Sequence, residues 1–454
     1  MEKAKRKYAS IFELDGIPQM SKALPLALQH VVAMIVGCVT PAIIVAGVAG
    51  LDNANRVMLI QSALVVSALS TFLQLFPIGP KNGFRMGAGL PVIMGTSFAY
   101  VASMQAIAAD TGIAAIFGAQ IIGGIIAMII GFFIDKIRKV FPPLVTGTVV
   151  FTIGLSLYPT AVNYMAGGAS SGNYGHWTNW LVAIITLAIV TFLNHFTKGF
   201  LKLASILIGI IAGYILVSIM AMILPTTFTY VDETGATVEA TKAWVVNWSK
   251  VADASWFAVP KIMPVKWVFD AKAIVPICIM FVVTAVETVG DISGITEGGL
   301  GREATDRELS GGVMCDGLGS SFAALLGVLP NTSFSQNVGL VAMNKVVNRY
   351  SIGIGGIFLI ACGLFPKLAA LISIMPQSVL GGAAVMMFSS IVVSGIQLIT
   401  KWPISPRNVT IVSVALGVGY GLGSNSAVLA QLPESINLIF GGSGIVPAAL
   451  FAII

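Results

Sequence analysis

Charge is what this 454-residue chain has least of: Asp, Glu, Lys and Arg make up 10% of it, against about 25% in soluble domains. Beside 56% hydrophobic residues, that scarcity excludes an ordinary soluble domain. Cysteine is also sparse. Cys38, Cys278, Cys315 and Cys362 lie in or beside apolar runs without CxxC spacing, which speaks for core packing and against a disulfide framework or a zinc site. No HExxH motif, metal-ligand cluster or Ser-His-Asp set at plausible depth is present, so neither an enzyme nor a resident metal or cofactor is expected. Walker and Rossmann spacings are missing as well, which leaves ATP-driven transport unsupported. The start, MEKAKRKYASIFELDGIPQMSK, has no uninterrupted apolar stretch before a cleavage site. It is not a signal peptide, and the first span serves as the insertion signal.

What is abundant is apolar length. Runs of about 20 residues recur from residue 24 onward, each enough for a helix across a hydrocarbon core of roughly 30 Å. They lack strand-period alternation, so helices are expected and a barrel is not. The spans read 24–48, 57–77, 84–104, 112–134, 142–160, 178–196, 201–224, 273–294, 309–327, 328–344, 350–373, 376–399, 408–424 and 440–454, fourteen in all. The net charge is +6, but its placement argues against nucleic acid as a partner. Counted in alternate segments, Lys and Arg number 18 on the side of the N-terminus and 7 on the other, five of the 7 in one long loop. Long loops are nearly exempt from the positive-inside rule. A multi-pass protein of the inner (plasma) membrane with both termini cytoplasmic is expected.

An internal repeat organises the runs. Thr96-Ser97-Phe98 returns as Thr332-Ser333-Phe334 at an offset of 236, and Pro142 and Gly147 return as Pro376 and Gly381 at an offset of 234. These anchors divide the chain into halves of seven spans, 24–224 and 273–454, with an N-terminal segment 1–23 and an extracellular loop 225–272 between the halves. Because seven is odd, the second half enters the membrane from the opposite side. The expected fold is an all-α polytopic membrane protein of two inverted 7-span repeats, a build that recurs in secondary transporters. The third and tenth spans, containing GLPVIMGTS and LPNTSFSQNVG, are broken, because Pro removes a donor and Gly and Asn favour turns. Half-helices starting at Ser97 and Ser333 would aim their N-terminal amides across a cavity at a polar or anionic ligand. In the loop, TFTYVDETGATVEAT alternates around Thr234-Gly235 like a short hairpin, with Trp244, Trp248 and Trp256 nearby for a membrane surface.

Ionisable residues inside a membrane are costly, which makes each a functional candidate. TAVETVGDISG in the eighth span supplies Glu287 and Asp291, four apart and so on one helix face. VMCDGLGSS in the ninth supplies Asp316, LALQHVVAM in the first His30, and FSQNVGL in the tenth Gln336 and Asn337. A glutamine donates and accepts while an ionised glutamate accepts two N–H bonds, which suits a planar ligand with alternating donors and acceptors. Phe98, just past the third-span break, offers a face for stacking. A buried carboxylate that takes a proton outside and releases it inside completes the minimum equipment for proton-coupled uptake of a heterocycle. The charged stretch TEGGLGREATDRE, with Glu297, Glu303, Asp306 and Glu308, reads as a solvated cytoplasmic face.

At these residues the sequence resembles the nucleobase-ascorbate transporter family, the nucleobase:cation symporters of the second type. The family's tenth-span signature is Gln-Asn-x-Gly followed four residues later by Thr and then Arg, Lys or Gly. Here QNVGLVAMNK matches it at Gln336, Asn337, Gly339 and Lys345, with Asn344 where Thr is usual. The eighth-span pattern is matched by ETVGD, the ninth-span acid by Asp316 and the first-span histidine by His30. The resemblance implies fourteen spans, with core spans one to four (24–134) and eight to eleven (273–373), and gate spans five to seven (142–224) and twelve to fourteen (376–454). It implies that Glu287 and Gln336 hold a purine with help from the backbone at Ser97 and Phe98. Asp316 and His30 would couple to the proton or order the site, supported by Asp291 and Asn337. Bacterial members are proton symporters for xanthine and uric acid, and others carry uracil. Thr96 in GTSF resembles members that accept uric acid. The implied partners are a small purine, H+, membrane lipid and a second copy of the chain joined through the gate.

Two rival readings stand beside this one. A uracil or pyrimidine symporter would share the fold and differ in pocket volume. An inorganic or organic anion carrier would use the same architecture, but it places its anion at the helix N-termini of spans three and ten, where Glu287 would repel it.

Overall fold

The computed structural model describes residues 8–80, 83–137, 142–169, 171–231, 237–261, 266–429, 431–433, 436–437, 440 and 444–453. Two compact units are each assembled from both halves of the sequence: 1–156, 257–366 and 392–454 in the first, 157–256 and 367–391 in the second. In chain order the first half holds α1 (Met20–Val48), α2 (Asn53–Leu75), β1 (Met94–Thr96), α3 (Val101–Asp110), α4 (Ile113–Phe132), α5 (Ile134–Ile137), α6 (Pro143–Met165), α7 (Trp177–Phe196), α8 (Phe200–Leu203) and α9 (Ser205–Ile223). A hairpin of β2 (Thr227–Val231) and β3 (Thr237–Thr241) and the short α10 (Ser249–Ala252) follow. Next come α11 (Ala271–Ile295), α12 (Asp306–Leu325), β4 (Asn331–Ser333), α13 (Ser335–Asn344), α14 (Arg349–Gly363), α15 (Pro366–Ser373), α16 (Gln377–Ile399), α17 (Pro406–Ser424) and α18 (Ile445–Ile453). A π-helical turn, Thr296–Leu300, prolongs α11.

Among the described residues eight helices are long and apolar enough to cross a membrane: α1, α2, α4, α6, α7, α9, α11 with its π turn, and α16. The pair α14 and α15, bent by 78°, makes a ninth if it counts as one span. The difference from fourteen expected spans has physical origins. The third and tenth runs each hold a short strand and a ten-residue helix, only about 15 Å long at 1.5 Å per residue. α12 and α17 are diluted by Gly and Ser, and α18 has nine residues.

In the first unit, glycine sets how closely the helices approach. A Cβ on Gly124 of α4 would stand 2.5 Å from the Gly317 carbonyl oxygen of α12, and one on Gly317 would stand 2.4 Å from that of Gly124. Only residues without a side chain allow backbones this close, the usual way to pack helices in lipid. The same unit holds a buried cluster of Leu90, Val92, Met94, Ile292, Leu309, Val313 and Val341.

The repeat anchors lie at matching places. Pro142 and Pro376 immediately precede α6 and α16, which have 23 residues each. Gly147 packs against the Gly395 carbonyl inside the first unit, and Gly381 against the Ala161 carbonyl inside the second.

In the second unit the expected hairpin is present, with Thr227 opposite Thr241 and Val231 opposite Thr237; its turn at Thr234-Gly235 lies outside the described residues. Trp256 is 72% exposed, as a surface tryptophan would be, but Trp244 is 0% exposed. Trp244 is a core residue and not a membrane-surface one. The charged stretch differs from expectation too. Glu308 is 7% exposed, because it is the third residue of a capping box with Thr305 and also receives the Arg302 guanidinium.

Candidate functional site

The two broken stretches meet. β1 and β4 pair antiparallel, Met94 opposite Ser333, Gly95 opposite Thr332 and Thr96 opposite Asn331. The ladder is extended by the Ser97 N–H donating to the Pro330 carbonyl at 3.0 Å and the Phe334 N–H to the Ile93 carbonyl at 2.8 Å. Backbone that cannot be helical thereby satisfies itself at a depth where water is scarce. This corrects the expected helix starts. α3 begins at Val101 and α13 at Ser335, not at Ser97 and Ser333. The Ser97 amide is spent on the ladder, and its hydroxyl accepts from the Ala99 N–H at 3.3 Å.

On one side of this strand pair stand the acids. α11 presents Thr284, Glu287, Thr288 and Asp291 at helical spacing, hence on one face. Ser333 Oγ donates to Asp291 Oδ2 at 2.5 Å, and Ser335 Oγ lies 3.1 Å from that oxygen and 3.4 Å from Glu287 Oε1. Asp316, from α12, accepts from the Thr288 hydroxyl and, at 3.2 Å, from Gln74 Nε2. Thr288 and Ser333 are themselves 3.2 Å apart. Glu287, Asp291 and Asp316 are thus brought together, and among the described residues none has an ion-pair partner. Glu287 Oε2 is buried without a hydrogen-bond partner. Gln336, the neighbour of Ser335, is half-buried. Such unmet polar capacity is what a polar ligand would fill.

The other expected site residues fall into three further groups. His30 of α1 is joined to Asn337, whose Nδ2 is 3.0 Å from His30 Nδ1 and 3.2 Å from the His30 carbonyl oxygen. Phe98 lies against Gly37 of α1 and shares that glycine with Phe334: a Cβ on Gly37 would stand 3.6 Å from the Phe98 ring and 2.8 Å from the Phe334 ring. Thr96 is fully buried on the α2 side of the strand pair. Its hydroxyl is 3.9 Å from Cys38 Sγ, which is 3.0 Å from Ser67 Oγ, and Ser67 donates to Asn331 Oδ1.

Sequence reasoning missed Thr288, Ser333, Ser335 and Gln74 as side chains that touch the acids, and Phe334 as the second ring. Ser333, Phe334 and Ser335 lie within the polar stretch NTSFSQNVG, so that stretch itself was the signal. Gln74 carries none, because only the fold brings α2 to Asp316. Among the described residues no group of three His, Cys, Asp or Glu side chains has an arrangement suited to a metal ion.

Solved structures show the same fold at low identity. The transmembrane domain of the cyanobacterial bicarbonate transporter BicA aligns over 88% of this chain and 96% of its own, with a TM-score of 0.59 and 16% identity. Sequence relatives are nearer. A xanthine permease of Bacillus subtilis is 34% identical over 440 residues, covering 95% of this chain and 92% of the relative. The uric acid permease PucK of the same organism is 34% identical over 436 residues, covering 94% and 93%. The family model Xan_ur_permease, described as the Permease family, matches residues 21–426. With that match and these near full-length relatives, the chain belongs to this permease family, the nucleobase-ascorbate transporters.

Proposed function

We propose that this permease is a proton-coupled secondary transporter that imports oxidised purines, xanthine or uric acid, by alternating access. Membership of a permease family makes it a transport protein and not an enzyme. One observation carries the ligand assignment: Glu287 Oε2 is buried without a partner, and Glu287 lies against Ser335, whose chain neighbour Gln336 is half-buried. A carboxylate accepts ring N–H groups, and a side-chain amide answers a neighbouring C=O and N–H pair. Xanthine and urate offer such alternating edges. The Phe98 and Phe334 rings supply the apolar part of the site, and relatives named for xanthine and uric acid agree with this chemistry.

In this reading the chain is an inverted repeat of two 7-span halves with core and gate groups, cytoplasmic termini and a dimeric gate in the inner membrane. The mutual pairing of β1 with β4, the equal ten-residue helices behind them and the equal 23-residue helices α6 and α16 support it.

The test is radiolabelled xanthine uptake in cells without purine carriers, competed by excess uric acid, uracil, hypoxanthine or adenine, with and without a protonophore. Protonophore-sensitive uptake that urate blocks, uracil leaves intact, and Glu287→Gln and Gln336→Ala abolish is the expected result. Uracil accumulation in place of xanthine would overturn the purine assignment. Failure of well-expressed protein to accumulate either would return the anion carrier as the reading.

A further inference from the structure

The three acids stand in one hydrogen-bonded file, and every group between them is a hydroxyl. Asp316 accepts from Thr288, Thr288 is 3.2 Å from Ser333, Ser333 donates to Asp291 at 2.5 Å, and Ser335 lies within 3.1 Å of Asp291 and 3.4 Å of Glu287. A hydroxyl can accept one proton while it gives up another, whereas a methyl group in its place breaks the file. Thr288 and Ser333 are buried, so bulk water does not offer a parallel path. The nearby titratable groups on other elements stand outside the file: Tyr100 is tied to Thr284 at 2.7 Å, and His30 to Asn337. One end is closed, with Asp316 buried and held by Gln74. The other end is the Glu287 oxygen that has no partner.

We propose that Thr288, Ser333 and Ser335 form a proton relay that joins Asp316 and Asp291 to Glu287, so that the proton exchanged beside the ligand is stored on the deeper acids. The relay rests on the symport reading above. In one passage the Asp316 carboxyl gives its proton to the Thr288 oxygen, Thr288 gives its own to Ser333, and Ser333 gives its own to Asp291. A second passage over Ser335 hands a proton from Asp291 to Glu287. One O–H bond forms for each that breaks, and no electron changes hands. Thr288 and Ser333 act through the acids and are positioning residues; ligand contact is assigned to neither.

Purified protein in proteoliposomes tests this with two assays. Xanthine accumulation driven by an inward pH gradient requires net proton movement, and xanthine counterflow at equal pH does not. Thr288→Val and Ser333→Ala are expected to lower accumulation roughly tenfold or more while counterflow stays within about twofold of wild type. Thr288→Ser and Ser333→Thr, which keep the hydroxyl, should recover accumulation. Parallel loss of both activities that the hydroxyl-keeping variants do not recover would mark a structural role and overturn the relay. Accumulation at the wild-type level in Thr288→Val and Ser333→Ala would overturn it too, with the symport reading intact. A wild type that exchanges xanthine yet ignores the gradient would overturn the symport reading and the relay together.

Discussion

Asn337 Nδ2 stands 3.0 Å from His30 Nδ1 and 3.2 Å from the carbonyl oxygen of the same histidine, 307 residues away in sequence. The carbonyl can only accept, so the amide nitrogen must face it. Nδ1 then accepts as well, which leaves the imidazole proton on Nε2. A single side chain therefore fixes a tautomer and ties α1 to α13.

Removing that amide strands the buried His30 Nδ1, while the His30 carbonyl keeps its bond within α1. Asn337→Ala is expected to destabilise the protein by about 1–3 kcal/mol, read as a lower unfolding temperature in detergent. An unchanged temperature would contradict the pairing.

The contact of Gly124 with Gly317 leaves no room for a methyl group on either side. Gly317→Ala is expected to destabilise by about 1–3 kcal/mol through overpacking, although alanine is the better helix former. Thermal unfolding beside Gly290→Ala separates the two effects, because a Cβ on Gly290 meets nothing within 4 Å. That control should gain stability, by up to about 1 kcal/mol.

Gly290 also lines a cleft of about 250 Å³ on another face of α11, with Val286, Val289 and Ser293, the start of α6 at Pro143 and the end of α16 at Leu398. Gly290→Met adds volume there from a Cβ position that meets nothing within 4 Å. It is expected to fold like the wild type and to lose xanthine uptake, since the walls of a filled cleft can no longer approach each other. Full uptake by this variant would show that the cleft keeps its width through the transport cycle.

Burial alone would raise the Glu308 carboxyl, but hydrogen bonds from Arg302 and Thr305 outweigh it and hold the group below its ordinary value. A carboxyl lowered in the folded state gives its full stabilisation above its unfolded value of about 4.3, and loses it as pH falls through the lower folded value. Glu308→Gln should therefore lower the unfolding temperature at neutral pH and differ much less from wild type in acid. A difference that stays constant across that range would remove the charge from the explanation.

What could be read ahead of the structure follows the distance over which each feature is determined. Glu287 and Asp291 share a face because their spacing is local, and β2 and β3 pair because few residues separate them in the chain. β1 and β4 are different. The repeat sets the two stretches face to face, but nothing in Met94-Gly95-Thr96 announces a strand ladder with Asn331–Ser333, and without that ladder a helix-breaking stretch reads as a helix start a few residues too early. The bridging hydroxyls were hidden in another way. Ser and Thr are ordinary on apolar helices, and Thr288 acquires its role only when α12 brings Asp316 beside it. Gln74 reaches that acid from α2, which no spacing in the sequence encodes.

The mutual ladder of β1 and β4 has a mechanical consequence. Two strands of three residues would not persist alone in water, since even a full hairpin is marginal there. Here the ladder is backed by side chains, Thr71 accepting from the Met94 N–H and Ser320 holding both backbone groups of Asn331, and separating the strands would strand the remaining ladder N–H and C=O groups at membrane depth. Neither half of the candidate site can slide past the other. The roots of α3 and α13 are riveted together and move as one piece.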